Sequence, residues 1–411
     1  MAKNESKKLS QTEILETETT APEAGIIQEG ARRRPLFAAL YSREYRYLWS
    51  GALLSNIGTW IQTVALGWFV LQITNSEFAL GLVNFAAGIP TFFLALAAGV
   101  IADRYERRSL LLVAQTILML LAFTLGILIT LNIASFLNII AISLAAGIAT
   151  SFSFPAWLAL IPETVPQRDL MNAVALNSAQ FNVARLIGPA IAGLVISLLG
   201  VAASFYVNAL SFMAVIIALA VIKVPPIRER NTNESVWQNF TEGITFARNN
   251  SSIAILLILI GMLTIFGLSH TVLMPAFARD ILKVGARGLG YLLAASGFGA
   301  AMGALIVAGL SHLVQRKTLI KISISSYSIF LLTFALSNIF ALSLIAQVGV
   351  GMSFLMTTSS INTSLQTASP AKIRGRVMSL FVWAFMGLFP LGSFLIGSIA
   401  HYIGSPLAVT I

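Results

Sequence analysis

The sequence predicts an all-α membrane protein built from two pseudo-symmetric six-helix bundles. Three observations carry that prediction: an apolar composition, a series of long apolar runs, and a repeat at a fixed offset. Hydrophobic residues make up 57% of the chain and charged residues 10%, whereas a soluble domain carries about 25% charged residues. A hydrocarbon core about 30 Å thick needs about 20 apolar residues of helix. Eleven runs meet that length, at 47–73, 78–101, 109–131, 134–160, 173–198, 201–222, 253–275, 288–310, 318–337, 340–363 and 378–400. Pro166, Gly193 and Gly200 recur as Pro370, Gly397 and Gly404, each 204 residues later. That offset maps the loop between spans 4 and 5 onto the loop between spans 10 and 11, as a parallel repeat of six helices requires.

The elements follow in order. Residues 1–45 are polar and acid-rich, with Glu13, Glu16, Glu18, Glu23 and Glu29, and read as a disordered cytoplasmic tail. This tail lacks the basic start, apolar core and cleavage site of a signal peptide. Residues 46–222 form the first bundle. Residues 223–252 are a polar cytoplasmic linker with Pro225 and Pro226 near its start, and 253–411 form the second bundle. Short turns join most spans; a longer loop is expected after Pro275. The sixth span implies a twelfth starting near 405, of which 405–411 supplies only the first turns. The expectation is a sequence cut short within its last helix.

Charge placement fixes orientation. Of 26 Lys and Arg, three (Arg279, Lys283, Arg287) fall on one side and Arg185 lies within a span, which leaves 22 on the side of the N-terminus. The positive-inside rule puts that side in the cytoplasm and makes the net charge of +10 an orientation signal facing anionic lipid, with no nucleic-acid partner. The chain has no cysteine, and its histidines, His270, His312 and His401, are scattered. Disulfides, thiolate catalysis and cysteine-based metal sites are excluded, the scattered histidines suggest no metal cluster, and no nucleophile–base constellation suggests an enzyme. No cofactor is implied.

Charge within the spans is scarce, so the exceptions stand out. Residues 99–108 join spans 2 and 3 with Gly99, Asp103, Arg104, Arg107 and Arg108. So much fixed charge in so short a hairpin points to a latch between helices that move. Arg185 is the one ionisable residue well inside the spans of the first half. A charge there must face a cavity or a partner, and no span holds a central acid to pair with it. It shares a helix face with Ser178, Asn182 and Pro189 at i, i+4, i+7, i+11 spacing; it binds substrate or donates to carbonyls of neighbouring helices. Ser55, Thr59, Gln62 and Thr63 share a face of span 1, with Asn56 and Trp60 beside them. Span 10 offers Ser353, Thr357, Ser360 and Ser364. Span 7 offers Thr264, His270 and Thr271, and span 4 offers Ser151, Ser153 and Trp157. Such residues line a cavity or pack helices together.

Gly99-x-x-x-Asp103-Arg104-x-x-Arg107-Arg108 resembles the loop 2–3 signature of the major facilitator superfamily, with Glu106 where that pattern usually has Gly. Arg185-x-x-Gly188-Pro189-x-x-x-Gly193 resembles the fifth-helix signature of its exporters. Residues 42–46 and 275–280 are similar to one branch, which contains the enterobactin exporter and the macrolide efflux proteins. The resemblance implies the major facilitator fold, with spans 1, 4, 7 and 10 around a central cavity. It implies that Asp103 meets the start of span 11 and holds the cytoplasmic side shut. It further implies a monomeric secondary transporter of the inner (plasma) membrane, exporting a siderophore-like or drug-like molecule by alternating access, with protons as coupling ion. Asp103 is the best-placed proton carrier and His270 the alternative. An importer of the same fold and a non-transporting membrane sensor are the competing readings.

Overall fold

The computed structural model describes residues 35–223, 236–310 and 313–410; the side chains of 95–97, 99–104 and 236–239 lie outside that description. Of the disordered tail expected at 1–45, residues 1–34 lie outside the described residues, whereas 35–45 are ordered, with a 3₁₀ turn at Ala38–Tyr41 and a helix that starts at Arg43. Residues 35–38 group with the N-terminal unit, while Ala39–Ile411 forms one compact unit.

Every element among the described residues is helical, as lipid demands of a chain whose backbone groups can find no water. Among the described residues, eleven helices are long and apolar enough to cross a bilayer: Arg43–Thr74, Glu77–Leu94, Arg107–Thr130, Phe136–Glu163, Gln167–Leu199, Val201–Val221, Ser251–Ile281, Gly285–Leu310, Arg316–Leu336, Phe340–Ala368 and Ala371–Ile403. They are spans 1 to 11 below. Asn75 ends span 1 in the left-handed conformation, its N–H reaching the carbonyl of Leu71. Ser135 and Asn250 cap the starts of spans 4 and 7 by accepting from Asn138 N and Ile253 N, which satisfies otherwise orphaned donors.

The repeat seen in the sequence is also a repeat of conformation. Gly200 has φ 84° and ψ 169°, and Gly404 has φ 84° and ψ 155°. Only glycine adopts that backbone without strain, so the chain turns from one helix into the next in the same way twice. Pro166 and Pro370, with ψ 146° and 147°, open the helices that follow them.

Two places differ from the sequence expectation. The helix of span 2 runs to Arg104 and span 3 starts at Arg107, so the charged hairpin shrinks to Tyr105 and Glu106. Glu106 has φ −58° and ψ 113°, a conformation open to any residue; glycine is not needed there. The second difference is the loop expected after Pro275. The chain instead stays helical from Ser251 to Ile281. π turns at Leu263–Gly267 and Phe277–Ile281 bracket a 3₁₀ stretch, Leu268–Leu273. Pro275 sits at the start of a short helical turn, Met274–Ala276, where its missing N–H breaks no hydrogen bond. The helix changes pitch around the proline rather than stopping at it.

Span 1 packs on spans 5 and 6, span 2 on span 4, and span 3 on spans 4 and 6; in the second half span 8 packs on span 10, span 9 on span 10, and span 7 on span 11. Two seams join the halves: span 5 on span 8, and span 2 on span 11. Both close through glycine. A Cβ at Gly193 would lie 2.9 Å from the carbonyl oxygen of Ala286, and one at Gly397 would lie 2.7 Å from Cα of Gly81. Gly193 and Gly397 are themselves 204 residues apart, so the seams are one contact used twice.

We call the end that carries Asn75, Gly200 and Gly404 distal, and the end that carries Arg107 proximal. Both seams are tight in the distal half. Toward the proximal end the polar faces separate. On span 5, Pro189 lies against Gly290, whereas Ser178 on the same face is exposed and Asn182 half-buried. On span 1, a methyl at Gly67 would lie 3.1 Å from Pro275, whereas Thr63 and Thr59 are exposed.

Candidate functional site

The sequence candidates separate into three groups. At the proximal end, the guanidinium of Arg107 donates to the carbonyl of Ala159 at 3.1 Å and pairs with Glu163, both at the end of span 4. Arg108 donates to the carbonyls of Leu219 at 2.6 Å and Ala220 at 2.8 Å, in the last turn of span 6. A cation at a helix C-terminus is stabilised by the carbonyls left without intrahelical partners. These two arginines thus hold spans 3, 4 and 6 together at their base. Ser109 donates to Glu106 at 2.6 Å and fixes the turn. The side chains of Asp103 and Arg104, like residue 99, lie outside the described residues.

The polar stripes form the second group, and most of them bind neighbouring helices of their own bundle. Gln62 accepts a 2.7 Å hydrogen bond from Asn208 of span 6. A Cβ at Gly58 would strike Ser211 and Asn208, so the face carrying Ser55, Gly58 and Gln62 is the one pressed on span 6. Ser55 is buried accordingly. Thr357 donates to Ser323 of span 9 at 2.7 Å, and Ser353, on the same face, is wholly buried. In the first half, Gln115 of span 3 donates to Ser153 of span 4 at 3.4 Å. Ser153 and Thr357 are 204 residues apart, so each bundle ties the corresponding pair of spans at this position, through partners, Gln115 and Ser323, one turn out of register. Ser153, Ser353 and Thr357 thereby serve helix packing.

The third group faces the cleft. Asn56, Thr59 and Thr63 of span 1 share it with Ser178 and Asn182 of span 5, whose side chains bond only within their own helix. Trp60 lies over Gly188: a Cβ there would come within 2.5 Å of the tryptophan's own Cβ. The Trp60 ring meets Phe181 edge-on at 6.3 Å. The Gly188–Pro189 element therefore provides the close approach that sets span 1 on span 5, while Gly193 sets span 5 on span 8.

Arg185 lies about one turn before Gly188, on its proximal side. Its carbonyl oxygen would be 2.9 Å from a Cβ at Gly297 of span 8, so its backbone is on the seam. Its charge acts across the seam on Tyr327 of span 9 and His270 of span 7. Its guanidinium makes no hydrogen bond or ion pair with any other described residue. His270 Nδ1 is 2.7 Å from the carbonyl of Gly267, which sets that nitrogen as donor and Nε2 as acceptor in the neutral ring. Tyr327 Oη lies 3.5 Å from Nδ1. Gln347 of span 10 donates to Met274 Sδ at 3.8 Å. The side chains of His270 and Gln347 interact, but neither His270 Nε2 nor Gln347 Oε1 completes a hydrogen bond of normal geometry. Tyr327 and Gln347 escaped the sequence reading: Gln347 is a single polar residue inside an apolar run, Tyr327 is one of several polar residues at 323–328, and periodicity singles out neither.

At the distal end Arg279 reaches from span 7 to span 1. It donates to the carbonyl of Leu71 at 2.8 Å and to Asn75 Oδ1, while Asp280 holds it at 2.7 Å. Arg287 of span 8 donates to Ser197 of span 5 at 2.7 Å. Asn75 and Arg279 are 204 residues apart: a residue meets its own counterpart, so this contact lies on the pseudo-twofold axis.

An apolar crevice of about 420 Å³ opens between the linker helix Val236–Asn249 and spans 7 and 11, lined among others by Ile244, Leu257, Gly261, Leu380 and Trp383. It lies apart from Arg185 and the polar faces of the cleft. No group of three or more metal-ligating side chains occurs among the described residues.

A model of the family described as transmembrane secretion effectors matches residues 35–411. The chain is 26% identical over 363 residues to the staphyloferrin A transporter of Staphylococcus aureus (strain NCTC 8325 / PS 47), covering 87% of this chain and 90% of that one. It is 26% identical over 384 residues to the multidrug efflux pump Tap of Mycolicibacterium fortuitum, covering 91% of each. It is 27% identical over 338 residues to the enterobactin exporter EntS of Escherichia coli O1:K1 / APEC, covering 82% and 80%. Among solved structures, the fold resembles the nucleoside transporter NupG, with a TM-score of 0.70 at 14% identity over 90% of this chain and 95% of that one. It also resembles a bacterial homologue of the iron transporter ferroportin, with a TM-score of 0.69 at 16% identity over 89% and 96%.

Proposed function

Because this chain belongs to the transmembrane secretion effector family of the major facilitator superfamily, and is thus a multi-pass membrane transporter rather than an enzyme, we propose that it exports a siderophore-like or drug-like small molecule from the cytoplasm. The observation that supports this reading is the asymmetry of the cleft between the bundles. Its distal end is tied by Arg279 and Arg287, and its polar faces on spans 1 and 5 are exposed toward the proximal end. The positive-inside bias puts the proximal end, with the N-terminus, in the cytoplasm. A site open there takes its cargo from inside the cell.

Transport then proceeds by rocking the bundles, 46–222 and 253–411, about a central site lined by Asn56, Thr59, Thr63, Asn182 and Arg185. The protein works as a monomer of the inner membrane, with protons as coupling ion. Asp103, at the base of span 2, is the gate and the proton-carrying acid of this reading. A carboxylate near the N-terminus of span 11 meets a partial positive charge, and protonation removes that attraction.

Two experiments test the proposal. Cells that lack the gene should trap a product that cells with it release, and proteoliposomes should move that product against an inwardly directed proton gradient. Uptake into cells as the sole activity would make the protein an importer. Asp103→Asn should lower transport while leaving membrane insertion intact; unchanged transport would remove Asp103 from the gate.

A further inference from the structure

We propose that Arg185 is the anion site of the transporter, binding a carboxylate group of the cargo, with the Tyr327 hydroxyl of the opposite bundle as second donor. The inference rests on the transport reading above and adds the chemical class of the substrate.

Three observations converge on it. First, Arg185 presents a guanidinium with five N–H donors in the middle of span 5, and no described residue accepts from any of them. Among the described residues the carboxylates stand at span ends, in turns or on the linker helix: Glu44, Glu77, Glu106, Glu163, Asp169, Glu242 and Asp280. A cation at that depth needs a counter-charge or water, and no acid among the described residues stands there.

Second, Arg185 sits where the bundles meet. Its backbone lies against Gly297 of span 8, and its charge is felt by Tyr327 and His270 of the other half. An anion held there touches both bundles, the position from which cargo can bias their rocking. Third, the surrounding polar groups are incomplete. His270 and Gln347 are 2% and 0% exposed, and although their side chains interact, neither His270 Nε2 nor Gln347 Oε1 completes a hydrogen bond of normal geometry. The Tyr327 hydroxyl has only a long contact to the histidine nitrogen, which is already engaged by the carbonyl of Gly267. Buried groups left in that state mark a place that a ligand or ordered water completes. A carboxylate fits the donors because its two oxygens match the guanidinium fork.

The test uses the full chain purified in nanodiscs, with thermal unfolding as the readout. The probes are sodium acetate, succinate and citrate, against sodium chloride at matched ionic strength and against neutral succinamide. At least one carboxylate should raise the unfolding temperature of the wild type, and neither control should. Arg185→Gln should weaken the response by about tenfold or more, the scale of one charge-assisted hydrogen bond. Arg185→Lys should keep part of it. Tyr327→Phe, which removes a single buried oxygen, guards against a misfolded Gln variant and should weaken the response while keeping the unliganded unfolding temperature. A wild type indifferent to all three carboxylates, or an equal response in Arg185→Gln, overturns the assignment. Because binding is read without transport, the two readings fail separately. A carboxylate response that depends on Arg185 in a protein with no export would sink the export reading alone. Export of product by a protein indifferent to carboxylates would sink the anion site alone.

Discussion

The two ends of the molecule use arginine in opposite ways. At the distal end, Arg279 and Arg287 reach from the second bundle into the first, to Leu71, Asn75 and Ser197. At the proximal end, no described arginine contact joins one bundle to the other. Arg107 and Arg108 bind spans 4 and 6, Arg316 of span 9 donates to Thr367 of span 10 at 2.7 Å, and Arg376 of span 11 pairs with Glu242 of the linker helix. The same side chain couples the halves at one end and builds each half at the other. A cleft that opens proximally can therefore do so without breaking these proximal arginine contacts, whereas opening distally must release Arg279 and Arg287.

That contrast can be broken at either end. Arg107→Ala should have the largest effect on stability, about 2 kcal/mol, because it leaves the half-buried Glu163 without its cation. Thermal unfolding of the purified protein should show that loss, while the end on which the cleft opens should stay the same. A shift in cleft accessibility would place Arg107 among the coupling residues instead.

Arg279→Gln should do the reverse. It removes two bonds between the bundles and should move the conformational balance by about 1–2 kcal/mol toward distal opening, with little change in unfolding temperature. The chain has no cysteine, so a Thr63→Cys reporter can be labelled against a silent background, and its labelling from the distal side should rise. Unchanged labelling would make the distal tie ornamental. Arg287→Ala, which loses one exposed bond to Ser197, should give the same change at about 0.5–1 kcal/mol. Smallest of all, Glu106→Gly restores the residue usual in the loop 2–3 signature and should cost no more than about 0.5–1 kcal/mol of stability. The glycine relaxes no strain at φ −58° and only gives up the bond from Ser109.

The sequence made the spans legible because lipid leaves helix as the one solution for an isolated apolar run. It made the repeat legible because a turn with φ 84° and an extended ψ is open without strain only to glycine, at 200 and again at 404. The helical path through Pro275 was hidden, since a π turn leaves no compositional mark. The polar stripe of span 1 was legible as a stripe but not by neighbour. At about 100° per residue, Ser55, Gln62, Thr59, Thr63 and Asn56 spread over roughly a third of the helix surface. That arc straddles the border between the contact with span 6 and the open cleft. Ser55 and Gln62 fall on one side of the border, the two threonines and Asn56 on the other. Arg185 was legible because charge in a membrane is rare; its surroundings in the second bundle were not, because His270, Tyr327 and Gln347 come from three separate helices.

The contact between Asn75 and Arg279 has a further consequence. On a twofold axis like must meet like, so two identical halves could place there only an asparagine against an asparagine or an arginine against an arginine. The first is a weak amide pair and the second a repulsion. A cation donating to an amide oxygen and to a helix-end carbonyl requires the two halves to differ at that position. The distal tie is therefore a contact that two identical subunits could not make, and it belongs to the fused chain alone.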